Sequence, residues 1–143
     1  MLDAGIEVTR LSQIYETEPV ETFAQPSFLN MAAELKSNTL PAPEDLMERL
    51  LQVEVLLGRT RDVARGPRTI DLDLLVHGQA TSDTERLTLP HPRLHIRRFV
   101  LVPLAELAPG LVHPKLGKTM TQLLAELTGH SEVKLWSPGE NSQ

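Results

Sequence analysis

Residues 66 to 73 read Gly66-Pro67-Arg68-Thr69-Ile70-Asp71-Leu72-Asp73, a Gly-Pro turn with an arginine that leads into an apolar run carrying two carboxylates. We predict a strand over residues 69–76. Because successive side chains of a strand alternate faces, Asp71 and Asp73 share one face while Ile70 and Leu72 point to the other. Two carboxylates held close together repel each other, and one pKa rises unless a cation lies between them. Mg²⁺ takes one or two carboxylates together with substrate phosphates, so the pair predicts a magnesium site.

Arginines cluster immediately before this carboxylate pair, at Arg59, Arg61, Arg65 and Arg68. A guanidinium matches phosphate oxygens in a forked, bidentate geometry. Two aspartates one residue apart occur on many strands by chance, and a run of arginines by itself is usually a solvated surface. The two features together favour a site for a nucleotide and Mg²⁺.

Composition limits the class of protein. The chain has 143 residues, of which 41% are hydrophobic, and no cysteine. That length suits one compact domain, which we expect over residues 1–136, followed by a flexible tail over 137–143. Neither disulfides nor thiolate metal sites can form, and no apolar run or signal peptide indicates export, so we expect a cytoplasmic protein with no membrane partner. The net charge of −5 argues against a nucleic-acid partner.

The first half of the chain predicts two strands and a helix. Residues 6–15 alternate and are rich in β-branched residues, which is typical of a strand, and we predict a second strand over residues 28–35. Between them, the Pro-bounded segment 16–26 predicts a long loop of the kind that is often functional. Pro43, followed by two acidic residues, predicts a helix that ends at Gly58.

The second half predicts a turn, a returning strand and two helical segments. Residues 77–80 read as a turn that returns the chain through residues 84–89. An apolar, helical stretch follows within residues 93–107, and we expect Pro103 to interrupt it. A last helix over residues 119–129 opens with a Thr-x-x-Gln capping box and ends at a glycine.

Five short motifs extend the pattern along nearly the whole chain. They are Tyr15-Glu16-Thr17-Glu18-Pro19, Phe28-Leu29-Asn30, Gly58-Arg59-Thr60-Arg61, the run over 66–73, and Leu89-Pro90-His91-Pro92 followed by Arg97-Arg98-Phe99. Together they resemble the 6-hydroxymethyl-7,8-dihydropterin pyrophosphokinase family of folate biosynthesis. The resemblance implies an α+β, ferredoxin-like sandwich, with helices packed on an antiparallel sheet. It also implies transfer of diphosphate from ATP to a reduced pterin, with release of AMP and with two Mg²⁺ ions.

The same resemblance implies roles for residues on the nucleotide side. Asp71 and Asp73 would hold both metal ions, and Arg59 and Arg68 would stabilise the transition state. The ATP site would be lined by Glu54, Arg59, Arg61, Arg68, Leu74, Thr88, His91 and Arg97. Glu54 also lies near the apolar stripe of the predicted helix, so a boundary residue is the alternative to a ligand-facing one.

On the pterin side, Phe28 and Phe99 occupy the positions of two rings that sandwich the flat heterocycle in the family, and stacking suits a planar ligand. Asn30, whose amide offers both a donor and an acceptor, would read the edge of the pterin ring. Core packing is the alternative for both phenylalanines. The pocket would be completed by Thr17 and by the backbone of Glu18 and Val20.

The sequence departs from the family pattern at several positions, among them Arg65, Pro92 and Leu51 and the beginning of the chain. Arg65 stands where the family usually has an aromatic residue, which bears on how its loop closes over the substrates. Members of the family begin with a strand and a Gly-Ser-Asn type of turn, whereas this sequence opens with Met1-Leu2-Asp3-Ala4-Gly5, so we expect the first strand and first helix to be absent. The alternative function is therefore a truncated, non-catalytic module that binds pterin or nucleotide or that serves as an interaction module. A monomer and a homodimer both fit the sequence.

Overall fold

The computed structural model describes residues 6–17, 28–57, 72–128 and 133–136. In these ranges antiparallel strands accompany three α-helices, which confirms the predicted α+β class and agrees with a ferredoxin-like protein. The chain divides into two compact units, one drawn from Met1–Glu7 and Leu35–Pro92, the other from Val8–Glu34 and Arg93–Gln143. Within the described ranges, no helix combines the length and the apolar character needed to cross a membrane.

In the first unit the main element is helix α1 (Pro43–Leu56). Pro43 stands at its beginning and the first turn carries two acidic residues, as the sequence predicted, because a proline needs no amide donor there and carboxylates favour the positive end of the helix dipole. The helix buries one stripe against the rest of the unit. The resulting core consists of Ile6, Leu46, Leu50, Leu74, Leu87 and Leu89.

A short hairpin completes the first unit. Strands β5 (Ser82–Asp83) and β6 (Thr88–Leu89) pair antiparallel, and the amide of Thr84 donates to the carbonyl of Leu87 at 3.0 Å. The predicted turn over residues 77–80 is confirmed, because Ala80 N–H donates to His77 C=O at 3.0 Å and Gly78 adopts a φ of 58° that suits a glycine.

The prediction of a strand over residues 69–76 is wrong for residues 72–76, the part that the structure describes. Residues 72–77 form no strand, and residues 69–71 lie outside the described ranges. A backbone bond runs to the hairpin side, from His91 N–H to Leu75 C=O at 2.9 Å, but such a bond by itself does not make a strand ladder. The predicted alternation nevertheless holds, since Leu72 and Leu74 pack into the core while Asp73 between them is exposed.

In the second unit a three-stranded antiparallel sheet has β2 (Tyr15–Thr17) between β3 (Phe28–Asn30) and β7 (Val133–Leu135). Strand β1 (Glu7–Leu11) pairs separately with β4 (Ala33–Lys36). Strand β7 was not predicted.

Both long strands predicted in the first half of the chain are interrupted, and Ser12 explains why. Ser12 N–H donates to Ala32 C=O at 2.9 Å, while Ala32 N–H donates to the Ser12 hydroxyl at 2.9 Å. A side-chain oxygen thus takes the place of a backbone acceptor, so the ladder stops at the same level in both strands. Both residues are buried.

Helix α2 (Arg98–Leu107) lies against β2, β3 and β7 and against helix α3 (Met120–Glu126). The predicted interruption at Pro103 is wrong, because the helix continues through it. Pro103 is the sixth helical residue, so the amide that it lacks would serve the carbonyl of Phe99 in the first turn, and its ring is buried in the core. The capping box of α3 is confirmed, with Thr119 and Gln122 each bonding the other's backbone amide.

His113 is a buried titratable residue of the second unit. Its ring is buried, and Nδ1 accepts from the amides of Lys115 and Leu116 at 3.2 and 3.1 Å. Burial is the main cause that lowers the pKa of His113, with smaller contributions from His95 and Lys115. Protonating Nδ1 would also turn an acceptor into a donor and break both bonds.

We therefore expect the free energy of unfolding to fall as pH drops below about 6.5, where the unfolded histidine binds the proton more readily than the folded one. The comparison is between the native chain and His113→Asn, whose side-chain oxygen can still accept from the two amides but does not titrate. Urea denaturation between pH 5 and 7 should show a shallower slope for the variant, by up to about 1.4 kcal/mol per pH unit. An unchanged slope would assign the pH dependence to other groups.

Candidate functional site

The described ranges contain ten of the residues predicted from the sequence for the site. On the nucleotide side they are Glu54, Asp73, Leu74, Thr88, His91 and Arg97, and on the pterin side Thr17, Phe28, Asn30 and Phe99. The predictions for Glu18, Val20, Arg59, Arg61, Arg68 and Asp71 lie outside the described residues, as does Arg65.

Glu54 is the one buried carboxylate of helix α1, with 3% of its surface exposed among the described residues. Its carboxylate accepts a short hydrogen bond from the backbone amide of Leu72. A boundary residue with a solvated carboxylate is therefore not what the structure shows. Glu54 instead ties the helix to the segment that carries Asp73.

Replacing Glu54 with alanine should lower the free energy of unfolding by about 1–3 kcal/mol, because the amide of Leu72 would lose its buried acceptor. Glu54→Gln should cost less, since an amide oxygen can still accept that bond. Glu48→Ala is the matched control on the same helix: its ion pair with Arg86, at 3.4 Å, is exposed and worth little. Urea denaturation measures all three, and equal losses for Glu54→Ala and Glu48→Ala would contradict the role of the buried bond.

Asp73 is held outward by its neighbours. Leu72 and Leu74 pack into the core on either side of it, which leaves its carboxylate on the exposed face. Within the described ranges, no group of three or more histidine, cysteine, aspartate or glutamate side chains lies close enough to hold a metal ion. An exposed carboxylate still suits Mg²⁺, since this ion takes one or two carboxylates and completes its shell with water and phosphate oxygens.

His91 borders the same segment from the hairpin side, and Thr88 lies within the hairpin. Thr88 lies in β6 opposite Asp83, and His91 follows that strand. The amide of His91 donates to the carbonyl of Leu75, two residues beyond Asp73. In the first unit the segment that carries Asp73 and Leu74 is thus bonded to Glu54 through the amide of Leu72 and to His91 through the carbonyl of Leu75.

In the second unit, Thr17, Phe28 and Asn30 form a group on neighbouring strands. The register places Thr17 opposite Phe28 and Tyr15 opposite Asn30. Asn30 Nδ2 donates to the hydroxyl oxygen of Thr17 at 3.0 Å. Thr17 is buried, whereas 54% of Phe28 is exposed. Core packing therefore does not explain Phe28, which presents a ring to solvent.

Arg97 and Phe99 stand at the beginning of helix α2. Arg97 is the residue before the helix, and its guanidinium carbon lies 5.6 Å from the centroid of the Phe99 ring, a cation–π arrangement. Because α2 lies against β2 and β3, Phe99 belongs to the same unit as Phe28 and Asn30.

The sequence did not indicate one polar contact of this unit, between Tyr15 and Glu106. The tyrosine hydroxyl donates to the Glu106 carboxylate at 2.6 Å. The only available signal was a single acidic residue in the otherwise apolar stretch from Phe99 to Leu107. A charge in such a stretch needs a partner or solvent.

Comparison with known proteins shows the family of this chain. The family model of 7,8-dihydro-6-hydroxymethylpterin-pyrophosphokinase matches residues 1–109. A relative from Bacillus subtilis is 50% identical over 104 residues, which cover 73% of this chain and 61% of the relative. One from Synechocystis is 43% identical over 126 residues, covering 88% and 63%. One from Pseudomonas aeruginosa is 44% identical over 115 residues, covering 80% and 69%.

All three relatives carry the name 2-amino-4-hydroxy-6-hydroxymethyldihydropteridine pyrophosphokinase. The matched part of this chain spans 61% and 63% of the length of the first two.

Proposed function

Because this chain belongs to the 7,8-dihydro-6-hydroxymethylpterin-pyrophosphokinase family, we propose that it transfers diphosphate from ATP to the hydroxymethyl oxygen of 6-hydroxymethyl-7,8-dihydropterin. The products are AMP and the pterin diphosphate. The observation that carries the proposal is the group formed by Thr17, Asn30 and the exposed Phe28, with helix α2, which carries Phe99, packed against the same strands. An aromatic ring open to solvent beside a hydrogen-bonded amide suits a flat, polar-edged heterocycle.

In the proposed reaction, the pterin hydroxyl oxygen forms a bond to the β-phosphorus of ATP. The bond from the β-phosphorus to the oxygen that bridges it to the α-phosphorus breaks, AMP leaves with that oxygen, and the hydroxyl proton passes to solvent. Asp73, together with Asp71, would hold two Mg²⁺ ions. When bound, these ions would supply positive charge that neutralises the phosphate oxygens. Arg59 and Arg68 would stabilise the charge that develops in the transition state, and Arg61 would bind the triphosphate.

The remaining residues would bind and orient the two substrates. Glu54 would fix the Asp73 segment through the amide of Leu72, and Leu74, Thr88, His91 and Arg97 would line the ATP side. On the pterin side, Asn30 would hold the ring edge between Phe28 and Phe99, with Thr17 orienting the Asn30 amide. The pocket would be completed by the backbone of Glu18 and Val20.

We further propose a cytoplasmic protein with a single domain over residues 1–136 that acts on small molecules and not on nucleic acid or a membrane. A chain without cysteine and with a net charge of −5 supports this assignment.

AMP release from ATP and Mg²⁺, measured with and without the pterin, tests the proposed function. Pterin-dependent AMP from the 143-residue chain would support an active enzyme. A folded chain that binds pterin or ATP but releases no AMP would instead favour a non-catalytic binding module, the alternative that the sequence left open.

A further inference from the structure

Glu106 joins helix α2 to the beginning of strand β2 by two kinds of hydrogen bond. Its carboxylate accepts from the hydroxyl of Tyr15 at 2.6 Å. The backbone amide of Gln13 donates to both of its carboxylate oxygens, at 3.3 and 3.2 Å. One side chain therefore holds two points of the chain on either side of Ile14. The carbonyl of Ile14 in turn accepts from the amide of Trp136 at 2.9 Å, which continues the β2–β7 pairing.

Tyr15 belongs to the same face of the sheet as the proposed pterin residues. Directly opposite residues of an antiparallel pair point to one face, and so do residues two apart along a strand. Tyr15 is opposite Asn30, and Thr17 is opposite Phe28. All four side chains therefore share one face of the sheet, and Glu106 is hydrogen-bonded to that face through Tyr15.

The other end of the connection is Phe99. Phe99 and Glu106 are seven residues apart on α2, which is 20° short of two full turns, so they lie on one side of the helix about 10 Å apart along its axis. A rigid helix thus carries Phe99 at a fixed distance from the point where Glu106 is bound to β2.

We propose that Glu106 is a positioning residue that sets the spacing between the rings of Phe28 and Phe99, and thereby the affinity for the pterin; this rests on the proposed function. Glu106 would touch no substrate atom. Its effect would pass through Tyr15 and Gln13 to the strand that carries Thr17, and through α2 to Phe99.

The ionisation of Tyr15 reports directly on its hydrogen bond to Glu106. The hydrogen bond to Glu106 is the main cause that raises the pKa of Tyr15 to about 12, with burial and the charge of Glu106 adding to it. Tyr15 is the only tyrosine of the chain, so ultraviolet absorbance reports its ionisation without overlap from another tyrosine. At pH 10.5 about 3% of it should be ionised, against about three quarters of an ordinary tyrosine with a pKa near 10.

The experiment compares the native chain with Glu106→Ala and Glu106→Gln. We expect Glu106→Ala to weaken binding of 6-hydroxymethyl-7,8-dihydropterin about three- to tenfold, to leave ATP affinity within twofold, and to bring Tyr15 ionisation at pH 10.5 towards the ordinary value. Glu106→Gln should lose less affinity, because its amide oxygen can still accept from Tyr15 and Gln13. The double variant Tyr15→Phe, Glu106→Ala should bind the pterin no worse than Glu106→Ala alone, because both substitutions remove the same hydrogen bond.

Glu126→Ala is the matched control, another exposed glutamate on a helix of the same unit, paired with Lys118 at 2.9 Å. It should leave both affinities and the tyrosine titration unchanged. Unaltered pterin affinity in Glu106→Ala, despite an altered tyrosine titration, would overturn the positioning role. Equal loss of both ligands with loss of the circular dichroism signal would overturn it in favour of a purely structural role. A native chain that binds no pterin at all would contradict the proposed function, independently of the tyrosine titration.

Discussion

Asp73→Ala should lower pterin-dependent AMP formation at least about a hundredfold, while the chain stays folded. The carboxylate lies on an exposed face, and the two leucines that flank it fill the core, so its removal leaves the packing intact. What is lost is the anionic oxygen that would hold Mg²⁺ against the phosphates of ATP. The measurement is the initial rate of AMP release at saturating ATP and pterin, with circular dichroism as the test of folding.

Asp83→Ala is the matched control for this variant. Asp83 is an exposed aspartate of the same unit, in strand β5, and no metal role is predicted for it. Its rate should stay within twofold of the native one. If Asp73→Ala kept more than about a tenth of the native rate, Asp73 would have to be removed from the metal site.

Phe99→Ala should weaken pterin binding about tenfold and change ATP affinity by less than twofold. Loss of the ring removes one side of the proposed sandwich, while the Arg97 guanidinium that lies over it keeps the charge with which it would bind ATP. Phe99 lies in the first turn of α2 and is half-buried, so the helix should persist without it. Isothermal titration of the pterin in the presence of a non-hydrolysable ATP analogue, and of that analogue alone, measures both affinities.

Phe99→Leu separates stacking from apolar volume, because leucine keeps much of the volume but has no ring. We expect its pterin affinity to lie between those of the native chain and Phe99→Ala. Val100→Ala, a truncation at the next helical position, should affect neither ligand. Equal weakening of pterin and ATP by Phe99→Ala would indicate a folding defect and would remove Phe99 from the pocket.

Local signals predicted the helices well. Pro43 and the acidic residues after it predicted the beginning of α1, and the Thr-x-x-Gln pattern of Thr119 and Gln122 predicted that of α3. Such caps act within one turn, so the sequence contains the whole interaction. Pro103 shows the limit of a local rule, since burial of its ring in the core accompanies an uninterrupted helix.

The strands were predicted less well because their ends depend on partners distant in sequence. The break at Ser12 exists because Ala32, twenty residues later, offers an amide to its hydroxyl. Whether residues 72–77 form a strand likewise depends on which backbone groups lie opposite them. Alternation of side chains alone does not create the hydrogen bonds of a strand ladder.

For the candidate site, the sequence identified residue types and the structure supplied their contacts. Alternation predicted that Asp73 would face away from its leucine neighbours, and it does. The bonds from Glu54 to Leu72 and from Asn30 to Thr17 follow from helix packing and strand register, which a single sequence does not specify. Glu106 was missed for the same reason, since its partner Tyr15 lies ninety-one residues away.

The central claim is that the β- and γ-phosphates move together to the pterin. Its most direct test uses ATP radiolabelled at the β-phosphorus, incubated with the chain, Mg²⁺ and 6-hydroxymethyl-7,8-dihydropterin, with the products separated by chromatography. The proposed reaction places the label in the pterin diphosphate and leaves AMP unlabelled. Labelled ADP, or label found only in inorganic phosphate or diphosphate, would contradict diphosphate transfer by this chain.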